Sequence, residues 1–398
     1  MILRDFQASA DELQASVISL LTDLVRIPSR AGVDPYEAVF DCIIDWLRHH
    51  HIDCTPIAGA NGRTIAVAGR VGSLRAEGGT IVLNASVDTA GFGDLTAWSH
   101  QPLGAEIVGN LLYGRGSADA KAGISIFCHL LAAFRTRTFA NGLGFLFDAD
   151  EHTGSFGGVR AWLDNFNERI AGVLIGYPGH DQVGVGARGF WRATLHVSGA
   201  SAHSGSSKQR GINAIAKAAE LVTSLAEHQR EMTKDSAAFP LPPKFTITGI
   251  RGGGEFSIVP DACEVDVDVR LTPAFAVEAA ETCLQTMIQR LDTKYPSPTR
   301  SRIVTQTSLP AYLLPRESPL PLALNRASKR ILNRELPFAV TGPSNIGNLL
   351  AQRGIPATCG FGVAYRNIHA ADECVDLASV TPTYRVYEAA LQELLSMA

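Results

Sequence analysis

No run in this chain approaches the ~18 consecutive apolar residues that a membrane-spanning helix needs. No cluster of Lys or Arg supplies the field that holds nucleic acid or an anionic membrane. The 35 basic and 39 acidic side chains leave a net charge of −4 and are scattered along the sequence. Cysteine is sparse: seven residues, at 42, 54, 128, 263, 283, 359 and 374, with no CxxC pair. An odd, thinly spread set argues against a disulfide framework and against a cysteine zinc knuckle. The opening segment MILRDFQASADELQ has early acidic residues and no long apolar stretch, so it reads as an amphipathic helix rather than a signal peptide. The expectation is a cytoplasmic protein with reduced thiols and no nucleic-acid or membrane partner.

Of the 398 residues, 46% are hydrophobic, enough for a large core and two or three domains. Apolar positions recur at helical spacing over 10–27, and Pro28 stops that helix. A second helix over 36–50 ends in His49-His50-His51, read as a solvated helix end because adjacent helical positions point apart. Thr64–Ala68, Ile81–Asn84, Leu143–Phe147 and Gly172–Ile175 read as strands, and Ala122–Phe134 as an apolar helix. Strands alternating with helices indicate a largely parallel sheet covered on both faces. The character changes near 188: a strand over Trp191–Ser198, a helix over 211–231, strands over Lys244–Ile250 and Ala262–Leu271, and a helix over 275–292. The expected fold class is therefore α/β. A mostly parallel-sheet domain covered by helices, over 1–187 and 308–398, is interrupted by a small α+β domain over 188–307.

The chemically capable residues follow the apolar strands. Asp88 comes after Ile81–Asn84, Asp150-Glu151-His152 after Leu143–Phe147, and Tyr177 after Gly172–Ile175. In parallel sheets chemistry collects at these carboxyl ends. Asp119 lies in a Gly-rich loop just before a helix, and His369 in the polar turn Asn367–Glu373. Carboxylate and imidazole together form the zinc ligand set of a hydrolase, and an adjacent Glu can take the proton of an activated water. Taken singly, Asp119 could cap the following helix, and His152 and His369 could be plain loop histidines. Their shared placement at strand ends favours the joint metal reading.

These motifs, in order, resemble one family: the zinc hydrolases that include acetylornithine deacetylase, succinyl-diaminopimelate desuccinylase, aminoacylase and glutamate carboxypeptidase. The resemblance runs nearly end to end, from Leu24-Val25-Arg26-Ile27-Pro28-Ser29 through Val87-Asp88-Thr89, Tyr113-Gly114-Arg115-Gly116 with Asp119 and Lys121, and Asp150-Glu151. In the insert it includes Ala202-His203-Ser204-Gly205, Gly211-Ile212-Asn213-Ala214, Val259-Pro260 and Arg270, and His369 with Glu373 closes it. The resemblance implies a catalytic domain with an inserted lid that pairs two subunits into a homodimer. It further implies a two-metal site bridged by Asp119, with Glu151 as general base, Asp88 orienting a ligand histidine, and His203 reaching the substrate from the partner's lid.

The sequence departs from this pattern in a coherent way. Where the resemblance implies a histidine and an acidic residue holding one metal, the chain has Ser86 and Tyr177. The other metal keeps Asp119 and His369, and its remaining ligand becomes His152. A hydroxyl and a phenol are poor divalent ligands, whereas two His and one Asp leave an open position for water. The expectation is zinc or another divalent metal, one ion rather than two, at Asp119, His152 and His369. His180, Asp181 and an inward-turned Asp88 remain alternative ligands. On the substrate side, Ser257 replaces the usual Asn before Val-Pro, Asn345 replaces an Asp after Ser344, and Arg188 and Arg270 could grip a carboxylate bidentately. The expected reaction is hydrolysis of an amide-type C–N bond in a small carboxylate-bearing substrate, such as an N-acyl amino acid or short peptide. An aromatic aminohydrolase and a catalytically inactive ligand-binding homologue stand as the alternatives.

Overall fold

Two strands with every residue buried, Thr80–Ser86 (TIVLNAS) and Gly142–Asp148 (GLGFLFD), form the middle of the principal sheet. Unbroken burial is what a strand covered on both faces requires, and it explains the continuous apolar reading of these runs. The computed structural model describes residues 9–74, 79–166, 168–208, 210–233, 236–358 and 360–396. Cys359 lies outside them. Cys42, Cys54, Cys128, Cys263, Cys283 and Cys374 are free thiols. Among the described residues no helix is long and apolar enough to cross a membrane.

The chain divides into two compact units. One runs to Val185 and resumes over Leu314–Ala339 and from Asn345 onward; the other comprises Gly186–Leu313 and Val340–Ser344. In the first unit the principal sheet has the order Thr55–Ala58, Thr64–Val71, Gly142–Asp148, Thr80–Ser86, Ile170–Ile175, Ala357–Thr358. The last four strands are mutually parallel and the first two add antiparallel at one edge. Ser86 pairs with Asp148 and Asn84 with Ile175, so the carboxyl ends of three strands lie side by side. Helices Ala10–Arg26, Ala122–Phe134 and Val380–Ser396 pack on one another. The first begins with a capping box in which Ser9 Oγ accepts from the Glu12 N–H at 3.2 Å and Glu12 Oε2 accepts from the Ser9 N–H at 2.8 Å. A Cβ at Gly123 would collide with the carbonyl oxygen of Gly176. This contact brings the start of helix Ala122–Phe134 against the end of strand Ile170–Ile175.

A second sheet in this unit was not anticipated. Its four antiparallel strands, in the order Tyr365–Arg366, Cys374–Asp376, Leu111–Tyr113, Glu106–Val108, are only two or three residues long, too short to show a period. Cys374 pairs with Tyr113, and the Gly114 N–H donates to the Glu373 carbonyl at 2.9 Å. The loop carrying Asp119 and the turn carrying His369 therefore leave neighbouring strand ends.

The second unit is an antiparallel sheet in the order Lys244–Gly252, Ala262–Leu271, Gly189–Ser198, Arg302–Leu309. Residues along Ala262–Leu271 alternate between buried and more exposed, the pattern of a sheet with one covered face. Helices Ala214–Glu231 and Val277–Lys294 cover that face, and Trp191, Leu221, Val265, Val267 and Leu284 fill the space between. The fourth strand, Arg302–Leu309, went unread in the sequence. It is an edge strand of the sheet, and most of its residues are exposed or half-buried, with no alternation.

Candidate metal centre

The loop Gly114–Asp119 turns sharply through Gly116, whose φ of +81° and close approach to the Thr89 side chain exclude a Cβ. Its far end is fixed by a buried acid. Glu373 accepts from the backbone N–H groups of Ala118 and Asp119, each at 3.2 Å, and pairs with Arg115 Nη1 at 2.6 Å. Arg115 Nη2 also donates to the Ala370 carbonyl at 3.0 Å, tying the loop to the His369 turn. Both members of this ion pair are almost wholly buried.

Asp88, at the end of Thr80–Ser86, plays the same part for the next strand end. Its carboxylate is fully buried and accepts from the backbone N–H groups of Glu151 at 3.2 Å and His152 at 2.9 Å. Asp88 Oδ2 is also 3.4 Å from His152 Nδ1. Asp88 thus does not turn toward the cluster as a ligand; it holds the loop of His152 through backbone N–H groups and faces Nδ1 of its ring.

Asp119, His152 and His369 come together. Asp119 Oδ2 is 3.1 Å from His369 Nε2 and 3.6 Å from His152 Nε2, and one donor atom from each residue lies within 4.8 Å of the others. A tetrahedral ion with bonds of ~2.0–2.1 Å sets its ligand atoms roughly 3.3 Å apart, so the spacing suits a divalent cation. The donor chemistry fits as well. Asp119 Oδ1 and both ring nitrogens of His152 are buried without a hydrogen-bond partner, an arrangement that costs free energy unless a cation or proton satisfies it. Asp119 makes no helix cap. His180 and Asp181 stay outside the cluster: His180 Nδ1 is bonded to the Gly362 carbonyl at 3.0 Å, and Asp181 pairs with Arg334. Lys121 also turns away, donating to the carbonyls of Leu24 and Ile27.

The electrostatics follow from this packing. Burial alone would raise the Asp119 carboxyl, but the two imidazoles outweigh it and hold the group below its usual range. Burial would lower His152, yet the adjacent Asp119 and Asp88 hold it well above its ordinary value. Burial pushes Glu151 up to about 7, aided by Asp119 and Asp88 and opposed by His152 and Tyr177, which is the range of a general base working near neutrality. Asp148, buried behind them, is raised well above a normal carboxylate and takes a hydrogen bond from Asn84 Nδ2 at 2.7 Å.

On the opposite flank, Ser86 Oγ is buried without a partner, and Tyr177 donates its phenolic hydrogen to Glu151 Oε1 at 2.8 Å. Two features were missed in the sequence. One is the Arg115–Glu373 pair, whose members are 258 residues apart. The other is the Tyr177–Glu151 bond, since Tyr177 stood out only as a lost ligand.

The proposed substrate residues divide between the units. Arg188, His203, Ser257 and Arg270 belong to the second, Asn345 to the first. Arg188 donates to the carbonyls of Gly342 at 3.1 Å and Pro242 at 3.2 Å, and Arg270 pairs with Asp268 at 2.8 Å. His203 is exposed, its Nδ1 accepting from the Gly205 N–H, and the Ser257 carbonyl accepts from the Ser204 N–H. Asn345 caps helix Ile346–Gln352 through a bond to the Gly347 N–H at 2.8 Å.

Residues 185–296 match the family model described as a peptidase dimerisation domain of the M20 type. The whole chain is similar to a succinyl-diaminopimelate desuccinylase of Cereibacter sphaeroides, 26% identical over 93% of this chain and 96% of the relative. In structure it is similar to the aminopeptidase PepT of Bacillus cereus, with a TM-score of 0.78 and 15% identity over 96% and 98% of the two chains. It also resembles a dinuclear metal-binding peptidase of the M20 family from Bacillus subtilis, with a TM-score of 0.71 and 16% identity over 97% and 99%. Residues 185–296 thus match an M20 dimerisation domain, and the chain as a whole is similar to amidohydrolases and peptidases of the M20 type.

Proposed function

We propose that this protein is a cytoplasmic, homodimeric hydrolase of amide-type C–N bonds in small carboxylate-bearing substrates, N-acyl amino acids or short peptides among them. It works with one divalent cation, zinc by the character of its donors, held by Asp119, His152 and His369. The observation that carries this reading is the convergence of those three donors, within 4.8 Å of one another, with the carboxylate of Glu151 beside them. The matched dimerisation-domain model supports pairing through the second unit.

A bound divalent cation supplies Lewis-acid polarisation of water and of the scissile carbonyl. The rest is done by the chain. Glu151 removes the proton of the attacking water and passes it to the leaving nitrogen. Asp88 keeps Glu151 and His152 in register through their backbone N–H groups, and Glu373 does the same for Asp119. Arg188, Arg270, His203, Ser257 and Asn345 are the proposed substrate contacts, the two guanidinium groups for its carboxylate.

Metal analysis of the purified protein, together with turnover of a panel of N-acyl amino acids and dipeptides, tests the reading. One ion per chain and activity that disappears in Glu151→Gln are expected. Two tightly held ions would overturn the single-metal site, and a metal-free protein without turnover would make it a ligand-binding homologue.

A further inference from the structure

The flank on which the resemblance implies two further metal ligands carries Ser86 and Tyr177 instead. Tyr177 follows strand Ile170–Ile175 directly, and its backbone is held from several sides. The Gly176 N–H donates to the Asn84 carbonyl at 2.8 Å, the Gly179 N–H to Val363 at 3.0 Å, and the Gly362 N–H to Gly179 at 2.8 Å. Gly360 and Gly362 lie so close that a Cβ on either would press on Tyr177 or its carbonyl. The ring is therefore carried by a rigid frame. Its hydroxyl ends 2.8 Å from Glu151 Oε1, while Glu151 Oε2 lies 3.3 Å from His152 Nδ1. The two carboxylate oxygens thus have different surroundings, and the carboxylate plane is set by one neutral donor and one ring. A phenol is a donor with only two side-chain torsions, so little freedom is lost in making this bond.

We propose that Tyr177 is the positioning residue of the general base: its hydroxyl fixes the Glu151 carboxylate, and the neutral side chains of Ser86 and Tyr177 make this flank something other than a second cation site. The proposal rests on the reading of Glu151 as the base. A phenolic donor directs the carboxylate without adding positive charge, and a base held within a few tenths of an ångström of its productive pose is what intramolecular proton transfer needs.

Tyr177→Phe removes only the hydroxyl. In the zinc-loaded protein it should lower kcat by roughly 10- to 100-fold with KM little changed, leave one ion per chain, and leave the thermal midpoint close to that of the parent. A crystal structure of Tyr177→Phe should show the Glu151 carboxylate rotated or in more than one orientation. The double variant Ser86→His/Tyr177→Asp should bind a second ion. The proposal is overturned if Tyr177→Phe keeps kcat within about twofold while Glu151→Gln is inactive, or if the Glu151 carboxylate stays in place without the hydroxyl. Should the parent protein hydrolyse nothing in the panel, the hydrolase reading fails on that result alone, and the crystallographic comparison still decides whether Tyr177 orients the carboxylate.

Discussion

His129 and His152 are both buried imidazoles in the same unit, one in the helical layer and one at the carboxyl end of the sheet, and their surroundings push them in opposite directions. His129 sits on helix Ala122–Phe134 beside Trp46. Its Nδ1 is 2.8 Å from the Ser125 carbonyl and its Nε2 2.8 Å from the Ser16 hydroxyl. A carbonyl only accepts, so the proton is on Nδ1 and Nε2 is the acceptor. Burial lowers this ring to about 4. His152 is desolvated as well, but Asp88 and Glu151 face its Nδ1 and Asp119 its Nε2, and it is held well above its ordinary value. Burial by itself makes an imidazole neutral; the positive charge of His152 is favoured by the carboxylates gathered around it. Those same carboxylates would neutralise a cation held by the proposed metal site as they do a proton.

The contrast can be attacked by experiment, beginning where the effect is greatest. Glu151→Gln should reduce turnover by roughly 10²- to 10⁴-fold with metal content unchanged, measured as kcat on whichever N-acyl amino acid the parent hydrolyses best. His152→Ala should release the cation, whereas His129→Ala should keep it; metal content after gel filtration separates the two, and equal loss in both would contradict the contrast between the two rings. Glu373→Gln leaves Arg115 buried without its counter-charge and should cost about 3 kcal/mol of stability, read from denaturant unfolding. The smallest effect concerns acid. Because the folded state lowers His129 from 6.5 to about 4, the unfolded chain binds more protons in that interval. Its contribution is complete above pH 6.5 and is lost as the pH falls toward 4, by at most about 1.4 kcal/mol per pH unit. His129→Asn should flatten this part of the stability profile relative to the parent; an unchanged slope would mean that the ring is not held neutral.

Much of this molecule could be read from its residues because its sheet is buried on both sides. Runs such as Ile81–Asn84 and Leu143–Phe147 are short and continuously apolar, as strands covered on both faces are, and polar clusters directly after them fall at one edge of the sheet. Position along a strand is enough to expect Asp88, Glu151, His152 and Tyr177 in one region. Partners separated by most of the chain are different. Nothing local links Arg115 to Glu373, and the short strands that bring them together, such as Leu111–Tyr113 and Cys374–Asp376, carry no periodicity. Tyr177 was visible as a substitution, but a hydrogen bond depends on where the ring points, which only the frame of Gly176, Gly360 and Gly362 determines.

Of the three clustered donors, His369 is the least enclosed. Its side chain is 54% exposed, against 6% for His152 and 12% for Asp119, and it sits on a turn at a φ of +60°. A competing chelator in solution meets this ring first. If an ion is held there as proposed, exchange would begin by swinging one arm outward while two stay fixed, and His369 would then govern how quickly the centre fills and empties more than how it is shaped.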